Sequence, residues 1–408
     1  MLSGAIHSTF MQPVLDSIRV VEATEALAGP YCAMMLGDFG ADVIKIERKK
    51  VGDQSRAWGP PFCGQQSAYF LAANRNKRSL TLDFDHPFGK DVMHRLLETT
   101  DVFLTNQPKL DSLKRNSLDP ESLGTRLPRL ICCAISGYGL FGPKAGVAGY
   151  DIIAQAETGI MSFTGEPDGG PVRYPVALAD LICGIYAALG ILAALFAREK
   201  TGCGQFLDMA LFDSQLTLLA NIGSNFLNAG VLPQRWGNAH PSIVPYQMFR
   251  GADHRHFVVG VGTEPLWTRF TRSLGIEEGA GRNPLFLSNQ LRIENRTALI
   301  HVLQEILSTR PAEQWVAQFT EAQIPAAMIK NVDEVFCDRQ VLERKLIVEF
   351  EHPELQAARS IANPVRLSAT PVSYRLPPPT LGEHNEELLM SLGYSREQIA
   401  KASAEGAI

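Results

Sequence analysis

The sequence of 408 residues lacks the signatures of several common kinds of enzyme. It contains no GxSxG, HExxH, GxxxxGK[ST] or protein-kinase signature, so a serine hydrolase, a zinc peptidase, a P-loop nucleotidase and a kinase are disfavoured. Its seven cysteines are odd in number and include no CxxC pair. This usage fits a reducing compartment better than a disulfide framework or a zinc site, and we expect no bound metal ion.

The sequence is also short of basic clusters and of targeting signals. A net charge of −5, with 45% hydrophobic and 20% charged residues, is ordinary for a soluble globular protein and argues against a nucleic-acid partner. Residues 1–16 have no basic start of a signal peptide, and Met11 is an alternative start. The uncharged run 181–197 is short for a membrane span and rich in glycine and alanine, which predicts a helix buried in a protein core. We therefore expect a cytoplasmic protein without a membrane partner.

Strand and helix patterns alternate along the first half of the chain. This alternation predicts an α/β fold with a parallel sheet covered by helices on both faces. The predicted strands are 18–22, 42–47, 79–84, 101–105, 130–135 and 206–210, and the predicted helices include 29–39, 87–99, 181–197 and 213–227. The length exceeds what one hydrophobic core usually serves, so we expect a Rossmann-like large domain at 1–225, a smaller α+β domain at 226–332, and a return segment at 333–408 that packs on the large domain.

Arg48 follows directly on the second predicted strand. Doubly wound sheets bind the phosphates of nucleotides at the carboxyl ends of their strands, so Arg48 is a candidate phosphate ligand. The segment Ala28-Gly29-Pro30 supplies only one turn glycine, so the dinucleotide fingerprint GxGxxG is absent. From these residues alone, an exposed surface arginine is an equally good interpretation.

Asp180 is a lone carboxylate at the head of the uncharged run. As the N-cap or a first-turn residue of the helix, it would bind free backbone N–H groups and do no chemistry. A carboxylate nucleophile has different needs: it must be ionised, held rigidly and shielded from water. The helix dipole is expected to keep Asp180 charged, and the N–H groups that follow it are candidate donors to an oxyanion. The residues leave both interpretations open.

Short motifs spread over nearly the whole chain resemble those of the class III CoA-transferases. The motifs are Leu27-Ala-Gly-Pro30, Phe39-Gly-Ala-Asp-Val-Ile-Lys-Ile-Glu-Arg48, Gly52-Asp53, Asn76-Lys-Arg-Ser79, Gly149-Tyr-Asp151, Thr164-Gly165, Ala179-Asp180, Gly190-Ile-Leu-Ala-Ala-Leu195 and Leu381-Gly-Glu-His384. Because they are dispersed, they are together far more specific than any one of them.

The resemblance implies an interlocked homodimer of two threaded, ring-like subunits that bind CoA on the Rossmann-like domain. It makes Asp180 the nucleophile, which forms a mixed anhydride and then an aspartyl-CoA thioester. The positions that match CoA-binding residues of the family are Ala26, Arg48, Leu82 and Asn106. The substrates would be an acyl-CoA and a free carboxylic acid, with no permanently bound cofactor.

Two departures from relatives narrow the expected reaction. The α-methylacyl-CoA racemases of this fold carry His-Asp where this chain has Tyr150-Asp151, so one of the two bases for proton transfer is missing. Leu27 and the segment 240–244 replace a glutamine and a glycine-rich flap of formyl-CoA transferase, which disfavours formate and oxalate. A racemase and an acyl-CoA-binding protein without turnover remain the alternatives.

The segments 171–173, 235–246 and 377–382 most resemble the branch that acts on succinate and other C4–C6 dicarboxylates. The expected donor is therefore succinyl-CoA. A second acceptor carboxylate needs a cation, for which Arg173 and Arg235 are candidates, although either is also a plausible surface residue. Tyr150, Asp151 and His240 are the other candidate substrate-binding residues.

Overall fold

The computed structural model describes residues 12–107 and 110–408. Met1 and Met11, on which the expectation about the start of the chain rests, lie outside these residues. Two compact units are formed. The large unit contains the described residues up to Ile160, then Arg173–Ala229 and Leu342–Ile408; the small unit contains Met161–Val172 and Gly230–Val341. The division of the chain at 225 and 332 stays a prediction.

The described residues contain strands of two to seven residues. In chain order they are β1 (Arg19–Ala23), β2 (Asp42–Arg48), β3 (Phe62–Cys63), β4 (Gln66–Ser67), β5 (Lys77–Leu82), β6 (Val102–Thr105), β7 (Ile131–Ser136), β8 (Phe206–Ala210), β9 (Tyr246–Arg250), β10 (His256–Gly260), β11 (Ala326–Met328), β12 (Ile347–His352) and β13 (Leu355–Ile361).

The helices of the described residues range from single turns to the long helix α8. In chain order they are α1 (Ala28–Asp38), α2 (Ala68–Ala73), α3 (Pro87–Glu98), α4 (Leu110–Arg115), α5 (Pro120–Arg126), α6 (Asp151–Glu157), α7 (Ile160–Phe163), α8 (Leu178–Thr201), α9 (Leu211–Thr217), α10 (Ala220–Ala229), α11 (Glu264–Ser273), α12 (Asn289–Glu294), α13 (Arg296–Leu307), α14 (Ala312–Glu321), α15 (Val332–Phe336), α16 (Arg339–Glu343), α17 (Asn385–Ser391) and α18 (Arg396–Ala404), with 3₁₀ helices at Gln54–Ala57 and Pro284–Phe286.

The large unit is built on a parallel sheet of six strands in the order β5-β2-β1-β6-β7-β8. Since β5 is the third of these strands along the chain, the order is that of a doubly wound, Rossmann-like sheet. The direction of winding reverses between β1, which pairs with β2 on one side, and β6 on the other. The predicted parallel α/β sheet is confirmed.

Successive side chains of β1 enter two different cores. Val20 packs with residues of α1 and α8, whereas Val21 packs with residues of α3, α17 and α18. Because neighbouring residues of a strand point to opposite faces, helices cover both faces of the sheet. The small unit has an antiparallel sheet in the order β11-β10-β9, whose core includes Phe257 and Trp315.

Helix α8 differs from its prediction in length and in burial. It extends the predicted run at both ends, and only one of its faces is covered: Ile191 is fully buried, but Leu189 is 59% and Phe196 66% exposed. The helix lies on a sheet and on α1, which cover one side only. By length and composition alone α8 would also pass as a membrane span, a test that core helices of soluble proteins pass as well.

Other differences have local causes. The single helix predicted at 213–227 is two helices, α9 and α10, because Ala220, the first residue of α10, has a φ of 41°, which the interior of a right-handed helix does not adopt. The sequence analysis missed β11, a three-residue strand of Ala, Ala and Met without the β-branched residues that mark strands. It also missed the hairpin β12–β13.

Candidate active site

A cavity of about 500 Å³ lies in the large unit at the carboxyl ends of four parallel strands. Its lining includes Ala23 and Arg48, which end β1 and β2, Asn106, which follows β6, and Ser136, which ends β7. The cavity therefore spans the reversal of strand order between β1 and β6. Doubly wound sheets bind nucleotide ligands at this place.

Three of the four predicted CoA-binding residues line this cavity, namely Ala26, Arg48 and Asn106. Asn106 donates from its side-chain amide to the carbonyl oxygen of Glu25 at 3.0 Å, and Arg48 forms an ion pair with the Glu25 carboxylate at 2.7 Å. The fourth, Leu82, is only 1% exposed and packs in the core of the large unit as the register partner of Arg48. Its part in CoA binding stays a prediction.

A buried ionic cluster fixes the backbone beside the cavity. Ala26 has a φ of 72°, an unfavourable angle for alanine, and its N–H donates to Asp53 Oδ1 at 3.0 Å. Asp53 in turn pairs with Lys45 at 2.8 Å, and Lys45 with Glu22 at 3.0 Å. Burial raises the pKa of Asp53, but Lys45 and the N–H donors outweigh it and lower the pKa to about 2. A charged Asp53 therefore holds Ala26 in place.

Asp180 lies in the first turn of α8 and lines the same cavity. The N-cap residue that precedes the helix, Ala177, has no side chain that could cap it; instead Asp151 Oδ1 accepts a hydrogen bond from the N–H of Ala179 at 2.8 Å. Asp151 performs the capping that the sequence offered as the non-catalytic explanation of Asp180. The Asp180 carboxylate is left free to face the cavity.

Two effects act against the charged form of Asp180. Burial, followed by the charge of Asp151, raises the pKa of Asp180 to about 7. Desolvation and a like charge thus oppose the helix dipole, which was expected to keep this carboxylate charged, and a pKa of about 7 still leaves an ionised fraction at neutral pH. The N–H of Leu181, the expected oxyanion donor next in sequence, bonds to Ala177 O at 3.1 Å inside the helix, so that expectation is wrong.

Gln155 connects the capping residue to the segment that leads into α8. Its side-chain amide donates to Asp151 Oδ2 at 2.8 Å, and its carbonyl accepts from the N–H of Tyr174 at 2.8 Å. Tyr150, which precedes α6, lines the cavity with 59% of its surface exposed. It is brought to the end of β7 because Gly149 lies against Gly137, where a Cβ atom would approach backbone to 2.5 Å.

Two aromatic residues near Asp180 escaped the sequence analysis. Trp58 lines the cavity and meets Tyr69 edge to face at 4.8 Å. Burial, together with the charges of Asp180 and Asp151, raises the pKa of Tyr69 to about 12. Tyr69 is therefore a neutral phenol that can donate a hydrogen bond. The only signal was the position of Trp58 in a glycine- and proline-rich loop, which by itself indicates a turn.

The remaining predicted substrate residues lie in several places. Arg173 is exposed, belongs to the large unit, and its charge opposes the rise in the pKa of Asp151 that burial causes. Arg235 and His240 belong to the small unit. Arg235 donates to the carbonyl oxygens of Ser162 and Glu166, and His240 Nδ1 accepts from the N–H of Ser242 at 3.0 Å. The substrate roles of all three stay predictions.

Among the described residues, no three His, Cys, Asp or Glu side chains are grouped as they would be to hold a metal ion.

Comparisons with known proteins agree with this geometry. The model of the family described as CoA-transferase family III matches residues 15–385. The chain is 38% identical to succinyl-CoA:glutarate CoA-transferase of Homo sapiens over 97% of its own length and 90% of the relative. It is 40% identical to succinate–glutarate CoA-transferase of Agrobacterium fabrum, over 93% of this chain and 96% of that one.

A solved structure agrees as well. The crystal structure of a CAIB/BAIF family protein from Brucella suis superposes with a TM-score of 0.85 at 38% identity, over 94% of this chain and all of that one. The family model, the two relatives and the solved structure agree. The chain therefore belongs to CoA-transferase family III and is a CoA-transferase.

Proposed function

We propose that the protein moves CoA from succinyl-CoA to a C4–C6 dicarboxylic acid through covalent intermediates on Asp180. The observation that carries the proposal is that Asp180, Arg48 and Asn106 line one cavity. Asp180 does not have to cap α8 there, because Asp151 caps this helix instead. One relative is named for succinyl-CoA and glutarate and another for succinate and glutarate, which supports that donor and makes glutarate the first acceptor to test.

The reaction consists of four acyl exchanges. The Asp180 carboxylate attacks the thioester carbonyl of succinyl-CoA, the C–S bond breaks, and CoA thiolate leaves a mixed anhydride. The thiolate then attacks the aspartyl carbonyl and releases succinate, leaving an aspartyl-CoA thioester. Glutarate attacks this thioester and displaces the thiolate, which finally attacks the glutaryl carbonyl and regenerates Asp180. The first attack needs the ionised carboxylate, while Tyr69 is a candidate donor to the developing oxyanion.

The acceptor site is part of the proposal. A dicarboxylate has a second carboxylate, and Arg173 is our first candidate to bind it. The charge of Arg173 opposes the rise in the pKa of Asp151 that burial causes, which places this arginine electrostatically close to the capping residue of α8. Arg235 is the second candidate, although its guanidinium already donates to two carbonyl oxygens. Tyr150, which lines the cavity, is proposed to shape it, and His240 remains a candidate substrate-binding residue.

The assembly and the compartment are proposals too. We propose that two copies form the interlocked homodimer of the family, which the exposed apolar side of α8 supports. The protein is proposed to work in the cytoplasm without a permanently bound cofactor.

The test combines activity, binding and detection of the intermediate. The parent chain should form glutaryl-CoA from succinyl-CoA and glutarate, and quenching during turnover should leave a mass adduct on the peptide that contains Asp180. Asp180→Ala should lower transfer at least 10³-fold while the Kd for CoA changes less than about threefold. Asp333→Ala, an exposed aspartate of the small unit, is the matched control and should keep full activity.

Three outcomes would contradict the proposal. Transfer that survives in Asp180→Ala would remove Asp180 from the chemistry, and loss of CoA binding in that variant would make its role structural. Deuterium incorporation at the α-carbon of an acyl-CoA, without exchange of acids, would favour the racemase instead.

A further inference from the structure

The cation available to a phosphate in the cavity is already paired with an anion. The charged residues that line the cavity are Glu25, Glu47, Arg48 and Asp180. Glu47 is bound to Arg56 at 2.7 Å on each of its oxygens. Arg48 is thus the only cation among the described lining residues, and Glu25 holds it with two contacts of 2.7 and 3.3 Å.

The backbone that carries Glu25 is fixed on both sides, which keeps its carboxylate within reach of Arg48. Asn106 holds the Glu25 carbonyl oxygen at 3.0 Å, and Asp53 holds the N–H of Ala26 at 3.0 Å. The Glu25 side chain is 30% exposed, whereas the Arg48 side chain is 57% exposed. A ligand phosphate can therefore reach Arg48, but only next to a carboxylate that already occupies part of its hydrogen-bonding fork.

We propose that Glu25 is a built-in competitor for the phosphate-binding arginine, so that it weakens the binding of CoA and of every CoA thioester alike. This inference rests on the proposed function, since it takes Arg48 to bind a CoA phosphate. A phosphate must share the guanidinium with Glu25 or displace it, and the two anions repel each other. The consequence is faster release of product CoA thioesters, which carry the same nucleotide as the donor. Glu25 should not affect the binding of acceptor acids, because these acids lack a phosphate.

The test is the neutral replacement of nearly equal shape, Glu25→Gln, with free CoA as the probe. Partly exposed ion pairs of this kind correspond to roughly two- to fivefold in a binding constant. The Kd for CoA, measured by calorimetry, should therefore fall by about two- to fivefold. Pantetheine, which carries no phosphate, should bind equally to both proteins. The KM for succinyl-CoA should fall with the Kd, while the KM for the acceptor acid stays constant.

Two controls separate this effect from charge and from folding. Glu98→Gln removes the same charge from the exposed end of α3, outside the cavity, and should leave the Kd unchanged. Glu25→Ser also removes the carboxylate and should lower the Kd for CoA as well. Agreement of the two variants shows that the effect comes from the lost carboxylate and not from a structural change specific to one of them. Thermal unfolding of each variant verifies that it is folded.

A double-mutant cycle with Arg48→Gln locates the competition. In the Arg48→Gln background, Glu25→Gln should change the Kd by much less than in the parent, because the cation for which Glu25 competes is gone. An equal change in both backgrounds would overturn the inference, and so would unchanged or weaker CoA binding by Glu25→Gln and Glu25→Ser. If the parent chain does not bind CoA at all, the proposed function fails together with the inference. If the parent binds CoA and transfers it, the inference can fail while the proposed function stands.

Discussion

At the scale of single residues, the site depends on a division of labour between two aspartates. Asp151 caps α8 by accepting the N–H of Ala179, and Gln155 secures it from the other side. Asp180 then keeps a carboxylate without a capping duty, with a pKa raised to about 7. A more basic carboxylate is a better nucleophile once it is ionised, so the raised pKa suits acyl transfer near neutral pH.

The raised pKa of Asp180 also predicts a stability change. Its folded pKa of about 7 exceeds the ordinary value of 3.8, so the folded chain binds more protons than the unfolded chain between these values and loses stability as the pH rises through them. Asp180→Asn removes this loss. We expect it to raise the free energy of unfolding by about 4 kcal/mol at pH 8, and by only a small fraction of that near pH 4.

Urea unfolding of parent and variant at several pH values measures this difference. Asp333→Asn, an exposed residue, is the control and should change stability at neither pH. A constant difference at all pH values, or a variant less stable than the parent at pH 8, would contradict a buried, proton-binding Asp180.

Asp180 and Arg48 stand out in the sequence because each lies beside a recognisable start or end of an element, whereas Ala26 and Asn106 were indicated only by the family resemblance. It did not predict that Asp151 caps α8, since the bond joins residues 28 positions apart and depends on tertiary packing. The same limit applies to the pKa of Asp180. The dipole of a helix is visible in a sequence, but the burial and the neighbouring carboxylate that outweigh it are not.

At the scale of elements, the position of Asp180 depends on how closely α8 approaches α1. The contact runs through Gly184, one turn after Asp180, where a Cβ atom would come within 2.6 Å of the carbonyl oxygen of Ala28. That oxygen belongs to backbone at the start of α1 and cannot move aside as a flexible side chain would. The spacing of the two helices is therefore set by the absence of a side chain.

Gly184→Ala should push α8 away from α1 and shift Asp180 in the cavity. We expect a loss of stability of about 1–3 kcal/mol and a lower kcat, because overpacking at a rigid contact must be relieved by moving a helix. Gly190→Ala is the matched control in the same helix, where the nearest atom is the flexible end of Leu207. It should be neutral or stabilising by up to about 1 kcal/mol, since alanine favours a helix interior.

Thermal unfolding and steady-state rates distinguish the two variants. Equal effects of Gly184→Ala and Gly190→Ala would show that the approach to α1 is not decisive. The pattern of the sequence predicted the helix itself and predicted β8 at 206–210 with both bounds correct. It did not reveal which glycine makes the close contact, because both stand in the same apolar run.

At the scale of the whole molecule, the large unit leaves apolar side chains uncovered. Ile185, Leu189 and Phe196 form a stripe along α8, and Phe226 and Leu227 of α10 are 50% and 82% exposed. Composition predicted that α8 would be buried all round, since a helix apolar on every side normally is. The described chain buries only one side. A second copy of the chain that covers this stripe would bury it, as the composition of α8 predicts, and would explain why the stripe is exposed in a single copy.

The stripe on α8 therefore predicts the oligomeric state. The parent chain should have twice the 44.7 kDa mass of one copy in light scattering after gel filtration. Leu189→Glu combined with Phe196→Glu should raise the dimer dissociation constant at least about 100-fold, because two carboxylates would otherwise be buried in an apolar contact. Val51→Glu, which changes an exposed residue in the turn after β2, should leave the dimer intact.

A parent chain that is monomeric at micromolar concentration, or a double variant as dimeric as the parent, would refute a dimer contact along α8. Circular dichroism compares the secondary structure of the double variant with that of the parent. A monomeric variant with the parent's spectrum has lost the dimer contact and not its fold.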